Sequence, residues 1–243
     1  MAGHSKWHNI QHKKGKADKA RSSLFTKLLR YIVVAAQQGG GDPDMNFALR
    51  LAIQKAKAGN VPKDNIERAI KKGIGETADG VVFEEGLYEG FGPGGVAILV
   101  EALTDNKNRA VSDIKYILSK KGGSSAGSGS VQWQFERKSV VRIAKDKKDA
   151  ITNWEDIELE LMDAGIDDIS ESEYGIEIIS PVEQLKHILD ICTKHAIEPE
   201  DSGLEWIPKE TIEIDAPTQE KLNNLLEALD ENDDVKEVYT NVA

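Results

Sequence analysis

Residues 90–103 read GFGPGGVAILVEAL, and at this stretch the chain changes its periodicity. Gly90, Gly92, Pro93, Gly94 and Gly95 predict a turn, since Gly tolerates positive φ and Pro holds φ at about −65°. The apolar run from Val96 to Leu103 predicts a buried strand. Gly90, Gly92 and Gly95 also satisfy GxGxxG. A dinucleotide fingerprint, however, follows a strand and opens a helix, whereas these glycines precede a strand. A kinase glycine loop fails too, because Ala97 and Leu99 stand where its Val and Lys are needed. Turn formation is the reading that remains.

On the N-terminal side of this stretch the pattern is helical. Leu24, Phe25, Leu28, Leu29, Ile32 and Val33 recur at spacings of 3 and 4, with Ser22 or Ser23 as the expected cap and Gly39, Gly40 and Gly41 as the stop. Asp42, Pro43 and Asp44 are expected to open a second helix through Leu49, Ile53 and Ala56, closed by Gly59. Pro62 opens a third through Ile66, Ala69 and Ile70, closed by Gly73. Short links between them predict a three-helix bundle. Residues 1–21 show no helical periodicity and read as a mobile basic arm.

On the C-terminal side strands and helices alternate. Helices are expected over about Asn108 to Leu118, 154–164, 181–195 and 217–230, with a Gly/Ser loop from Gly122 to Ser130. Strands are expected at Val131 to Phe135, Val140 to Ile143, 174–179, 204–207, 211–214 and 235–240. This rhythm points to split βαβ, ferredoxin-like units.

The net charge of −11 conceals a partition. Residues 1–75 hold 15 Lys/Arg against 5 Asp/Glu, residues 76–150 hold 11 of each, and residues 151–243 hold 5 against 26. A basic segment concentrates polyanions locally, whereas an acidic one repels them. The single Cys192 makes an internal disulfide impossible and fits a reducing compartment. The opening residues lack the apolar core of a secretory signal and no apolar run is long enough to span a bilayer, so a cytoplasmic location without membrane contact is expected.

Four blocks then carry a resemblance: AGHSKWHNIQHKKGKADKARSSLFTKL from Ala2, NVPKDNIERAIKKG from Asn60, EGFGPGGVAILVEALTDNKNR from Glu89, and the GG…GSVQWQFERK stretch ending at Lys138. With them the chain resembles the YebC family of probable transcriptional regulatory proteins, which includes a mitochondrial translational activator. The likeness covers essentially the whole length and departs from the family pattern at Ala110 and Ser139, where Thr and Gly are expected. It implies an α+β, multidomain protein in which an N-terminal three-helix bundle is followed by two α+β domains, one ferredoxin-like and inserted in the other. The corresponding ranges are 1–21 for the arm, 22–78 for the helical domain, 79–136 with 208–243 for one α+β domain, and 137–207 for the inserted one. It also implies nucleic-acid binding.

Lys6, Lys13, Lys14, Lys16, Lys19 and Arg21 fall within 16 residues, with Trp7 among them. Cations without a core of their own suit phosphate, and an indole stacks on an exposed base; the alternative is a solvated tail. Lys63, Arg68, Lys71 and Lys72 lie opposite the face that buries Ile66 and Ile70, where they bind phosphate or simply face water near the helix C-terminus. Lys107 and Arg109 offer a second basic contact, with Arg137 and Lys138 beyond. No helix shows the Arg, Asn and Gln cluster that reads base edges. His4, His8 and His12 share a spacing of 4, yet the arm holds no acid except Asp18, and no metal site is expected. Ser, His and Asp occur without a nucleophile elbow or an HExxH motif, so no catalytic residue and no cofactor are expected.

These observations point to a non-enzymatic regulator of gene expression that binds nucleic acid through its basic N-terminal region. DNA in transcription and RNA or the ribosome in translation both remain open as targets. A third possibility is a protein-interaction module whose acidic half takes a basic protein partner.

Overall fold

The computed structural model describes residues 19–76 and 82–243, with side chains from Leu24 onward in the first segment. Contacts divide these residues into two compact units. One comprises Trp133–Glu213 with Asn241–Ala243; the other comprises the described residues up to Gln132 with Ile214–Thr240.

The second of these units opens with three helices: α1 (Lys19–Gly39), α2 (Phe47–Ala58) and α3 (Lys63–Gly73). Their apolar stripes meet in one core of Leu28, Ile32, Val33, Ala36, Leu49, Ala56, Ile66 and Ala69. A Cβ at Gly73 would stand 2.5 Å from the Val33 carbonyl oxygen and 2.6 Å from the Ala36 Cβ, so α3 reaches α1 only because this position is bare. Two expected helix starts shift. α1 begins by Lys19 rather than at Ser22 or Ser23, since Lys, Ala and Arg are good helix formers and extend the helix backward. α2 begins at Phe47 with Asn46 as its cap. Asp42 instead accepts from the Asp44 N–H at 2.9 Å, closing a local turn before the helix. Asn46 is buried and links three backbones: its Oδ1 accepts from Leu49 N–H at 3.1 Å, and its Nδ2 donates to the carbonyls of Ala35 and Gly40.

The same unit continues with β1 (Glu84–Phe91), β2 (Ala97–Thr104), α4 (Lys107–Lys120), the short β3 (Ser124–Ser125), α8 (Ala216–Asp230) and β8 (Val235–Thr240). The strands form a sheet in the order β3-β1-β2-β8, antiparallel throughout. β1 and β2 are joined by the glycine turn, where Gly94 and Gly95 take φ of 75° and 77°. β2 is buried along almost its whole length, as its unbroken apolar run requires. The stretch expected as a strand from Val131 is a 3-10 turn at Gln132–Gln134. The backbone N–H groups of Val131 and Gln132 donate to the Glu89 carboxylate at 2.6 and 3.0 Å, which removes them from any ladder.

The other unit contains β4 (Phe135–Ala144), α5 (Lys145–Asp149), α6 (Trp154–Asp163), β5 (Asp168–Ser172), β6 (Gly175–Ser180), α7 (Leu185–Lys194) and β7 (Asp201–Pro208). Its sheet has the order β5-β6-β4-β7 with every pair antiparallel. A β-α-β-β-α-β succession in this order is the split βαβ, ferredoxin-like arrangement. β5 carries Ser170 and Ser172 between acids, and its polar composition hid it in the sequence. The stretch 211–214 makes only a single bridge, Ile212 to Val242, and is no strand of either sheet. The protein is therefore α+β and multidomain, with a helical N-terminal region ahead of two sheet-and-helix units.

Candidate nucleic-acid interface

On α3 the sequence places Arg68, Lys71 and Lys72 at i, i+3 and i+4, and Ile66, Ala69 and Gly73 on the buried face of the same helix. Arg68 and Lys71 are exposed and Lys72 is half-buried, so the three form a cationic stripe on the solvent face. Lys63 begins the same helix, exposed and 3.6 Å from Glu67 one turn on. Lys71 and Lys72 also sit in the last turn, where the helix dipole favours positive charge. Lys6, Trp7, Lys13, Lys14 and Lys16 lie outside the described residues, as do His4, His8 and His12. Lys19 and Arg21 occupy the first turn of α1, with side chains outside the description.

Lys107 and Arg109 are engaged with carboxylates rather than grouped with the α3 stripe. Lys107 ion-pairs with Glu84 on β1, which raises the pKa of its ammonium. Arg109 makes a two-pronged contact with Asp234: Nε donates to Oδ2 at 2.9 Å and Nη2 to Oδ1 at 2.8 Å. Nη2 also donates to Asp105 at 2.7 Å. Arg30 of α1 reaches the same carboxylate, with Nη1 3.0 Å from Asp234 Oδ1 and 2.6 Å from the Asp233 carbonyl. Burial raises the pKa of Asp234, but the hydrogen-bonded Arg109 and then Arg30 outweigh it and hold the carboxyl below the usual range. Arg109 in turn stays charged, its pKa being pushed upward by its carboxylate partners.

Around this clasp, Lys27 of α1 is buried and donates to the Asp230 carbonyl, and the Tyr31 hydroxyl donates to the Lys236 carbonyl at 2.9 Å. Three consecutive polar contacts of α1 thus dock it on the α8–β8 corner. These residues were missed in the sequence. Arg30 and Asp234 are 204 positions apart, and nothing in the local pattern of either marks the other.

The Gly/Ser loop after α4 is fixed by the buried Glu89, which accepts from Gly129, Val131 and Gln132 N–H groups at 2.5 to 3.0 Å. Burial pushes this carboxyl up, and the backbone donors more than reverse it, leaving its pKa lowered. Arg137 lies over the Trp206 ring at 5.3 Å, and Lys138 ion-pairs with Glu136 and Asp167 at 3.0 and 3.2 Å. No group of three or more His, Cys, Asp or Glu among the described residues is placed to hold a metal ion. No helix among them is long and apolar enough to cross a membrane.

The family model described as TACO1/YebC protein N-terminal domain matches residues 5–76, and that described as TACO1/YebC second and third domain matches residues 83–242. The chain belongs to the TACO1/YebC family. A family relative from Persephonella marina, named probable transcriptional regulatory protein, is 50% identical over 243 residues, covering 99% of this chain and 95% of its own. A relative of the same name from Thermotoga maritima is 45% identical over 241 residues, with 99% and 93% covered. Among solved structures, a conserved hypothetical protein from Aquifex aeolicus superposes with a TM-score of 0.84 at 39% identity, covering 94% of this chain and 92% of that one. Where the family pattern expects Thr, Ala110 is fully buried in α4; where it expects Gly, the buried Ser139 shares a hydrogen bond with Ser180.

Proposed function

We propose that this protein is a non-enzymatic regulator of gene expression that binds DNA through its basic N-terminal region, in keeping with the transcriptional role in its relatives' names. The observation that carries the reading is the exposed stripe of Arg68, Lys71 and Lys72 on α3, downstream of the lysine-rich residues 6–21. Phosphate contacts position a protein on a duplex and supply most nonspecific affinity. The stripe has no cluster of base-reading Asn and Gln beside it, Asn65 being the one such residue on α3, so sequence preference on this reading comes largely from elsewhere in the chain or from DNA shape. Arg109, held by Asp234, acts as a brace for α1, and Lys107 is the more available of that pair.

Filter binding of the full chain to duplex DNA and to structured RNA over a salt series tests this. Replacing Arg68, Lys71 and Lys72 together with Ala should weaken duplex binding at low salt without lowering thermal stability. Unchanged affinity in that variant and in a Lys13, Lys14, Lys16 to Ala variant would remove the basic region as the binding element. Tighter binding to RNA than to duplex at every salt concentration would move the target from DNA to RNA.

A further inference from the structure

From Ile114 to Phe135 the chain carries no Asp or Glu, in a protein that has 42 of them, yet it carries Lys115, Lys120 and Lys121. The stretch begins as the C-terminal half of α4 and continues into the Gly/Ser loop. Ala110, Ile114 and Leu118 take the buried side of α4. By helical spacing Ser112, Tyr116, Ser119 and Lys120 stand on the opposite side with Lys115 at its flank, and all five are exposed. Lys121 follows as the C-cap and is exposed as well. The one acid of α4, Asp113, is half-buried.

These three lysines differ from the other cations of the helix. Lys107 and Arg109 are held by Glu84, Asp105 and Asp234, whereas Lys115, Lys120 and Lys121 ion-pair with no carboxylate among the described residues. Tyr116 is 61% exposed. Its hydroxyl accepts from Lys120 Nζ at 3.0 Å, and that ammonium lies 5.2 Å from the ring centre. A flat ring and a cation are thereby held side by side on the surface. The loop beyond is anchored despite its glycines, because Ser124 and Ser125 pair with β1 and the Glu89 carboxylate takes the N–H groups of Gly129 and Val131. The helix dipole accounts for a cation at Lys120, but not for an exposed aromatic beside it or for a loop without acids.

We propose that the C-terminal half of α4 and the adjoining loop form a binding site for an unpaired nucleic-acid strand. A base stacks on Tyr116, the three lysines meet phosphates, and the Ser119 hydroxyl bonds a sugar or phosphate oxygen. The aromatic selects an unpaired strand, since within a duplex each base face is already covered by its neighbour. The ligand class rests on the nucleic-acid reading above, but the site shares no residue with the α3 stripe.

Fluorescence anisotropy of the full chain over a salt series tests this, with a labelled single-stranded oligoribonucleotide, the oligodeoxyribonucleotide of the same sequence, and a DNA duplex. Tyr116→Leu should weaken single-strand binding roughly 5- to 150-fold, the effect of losing one stacked base. Tyr116→Phe should stay near wild type, and neither change should alter duplex binding or the thermal midpoint. Changing Lys115, Lys120 and Lys121 to Ala should lower the single-strand salt slope by about two units. Loss on the oligoribonucleotide alone assigns RNA and loss on both single strands admits either, and each result supports the site. Wild-type affinity in Tyr116→Leu, equal losses for duplex and single strand, or a wild type that binds neither single strand would overturn it. Should the α3 variant still lose duplex binding in that case, the α3 reading stands although this site falls.

Discussion

At the residue scale, two buried acidic groups behave in opposite ways. Cys192 sits in the core of the ferredoxin-like unit, where burial pushes its thiol up to about 11. Such a thiol is largely uncharged and slow to react. Alkylation with iodoacetamide at pH 8 should therefore proceed only after denaturant is added, and labelling of the native protein at the rate of a simple thiol would contradict this. Glu89 is held as a carboxylate by three backbone donors. Glu89→Gln sets an amide N–H₂ against N–H groups and should cost about 1–3 kcal/mol, with faster amide exchange at Gly129 and Val131. The sequence showed neither role. The Gly/Ser composition of residues 122–130 made the loop legible, whereas its anchor stands about forty positions upstream in β1. Asn46 was hidden by its neighbours, since Asp42, Pro43 and Asp44 carry the stronger local signal for a helix start.

At the element scale, the attachment of α1 to the α8–β8 corner depends on one carboxylate. Removing one partner of a buried ion pair typically costs about 3–5 kcal/mol, so Asp234→Asn should be strongly destabilising and should loosen α1 first. The pH dependence has a definite sign. The folded Asp234 pKa is lowered, so its contribution is present above the ordinary unfolded value of about 3.9 and is lost as pH falls through the lower folded value. Urea midpoints measured from pH 6 down to pH 3 should drop for the wild type, and the drop should be smaller in Asp234→Asn. Equal slopes would show that Asp234 carries none of the acid sensitivity. The three helices and most strands were legible because their apolar periodicity is local. β5 and the loss of 211–214 as a strand were not, because whether a short polar segment joins a sheet is settled by the neighbour it meets.

At the scale of the whole molecule, the charge partition of the sequence maps onto different elements. The cations of α3 face outward, while many of the acids beyond residue 150 lie on or beside the ferredoxin-like sheet. If the basic region binds duplex DNA, each phosphate contact removed should lower the log-log salt slope by about 0.9. Changing Lys13, Lys14 and Lys16 to Ala should thus lower it by roughly two to three units, measured by filter binding between 50 and 300 mM salt. An unchanged slope would place the contacts elsewhere. The candidate interface was legible as far as α3, whose exposed and buried positions follow from helical spacing alone. Arg109 was not, because its sequence context at the start of α4 is that of a solvent-facing cation, and only the distant Asp234 reveals it as a brace.

The clasp on Asp234 also has a consequence in time. Arg30 waits for a partner made 204 residues later, and Arg109 for the same residue 125 positions on. At about 5–20 residues per second of synthesis, the delay for Arg30 is roughly 10–40 s. Throughout it the outer edge of β2 also stands open, because β8 emerges after Asp234. A chain released early, before residue 234, contains every cation of the N-terminal region but lacks the strand and the carboxylate that lock α1 down. Full assembly of the N-terminal helices on the α8–β8 corner therefore has to wait until residue 234 has been made.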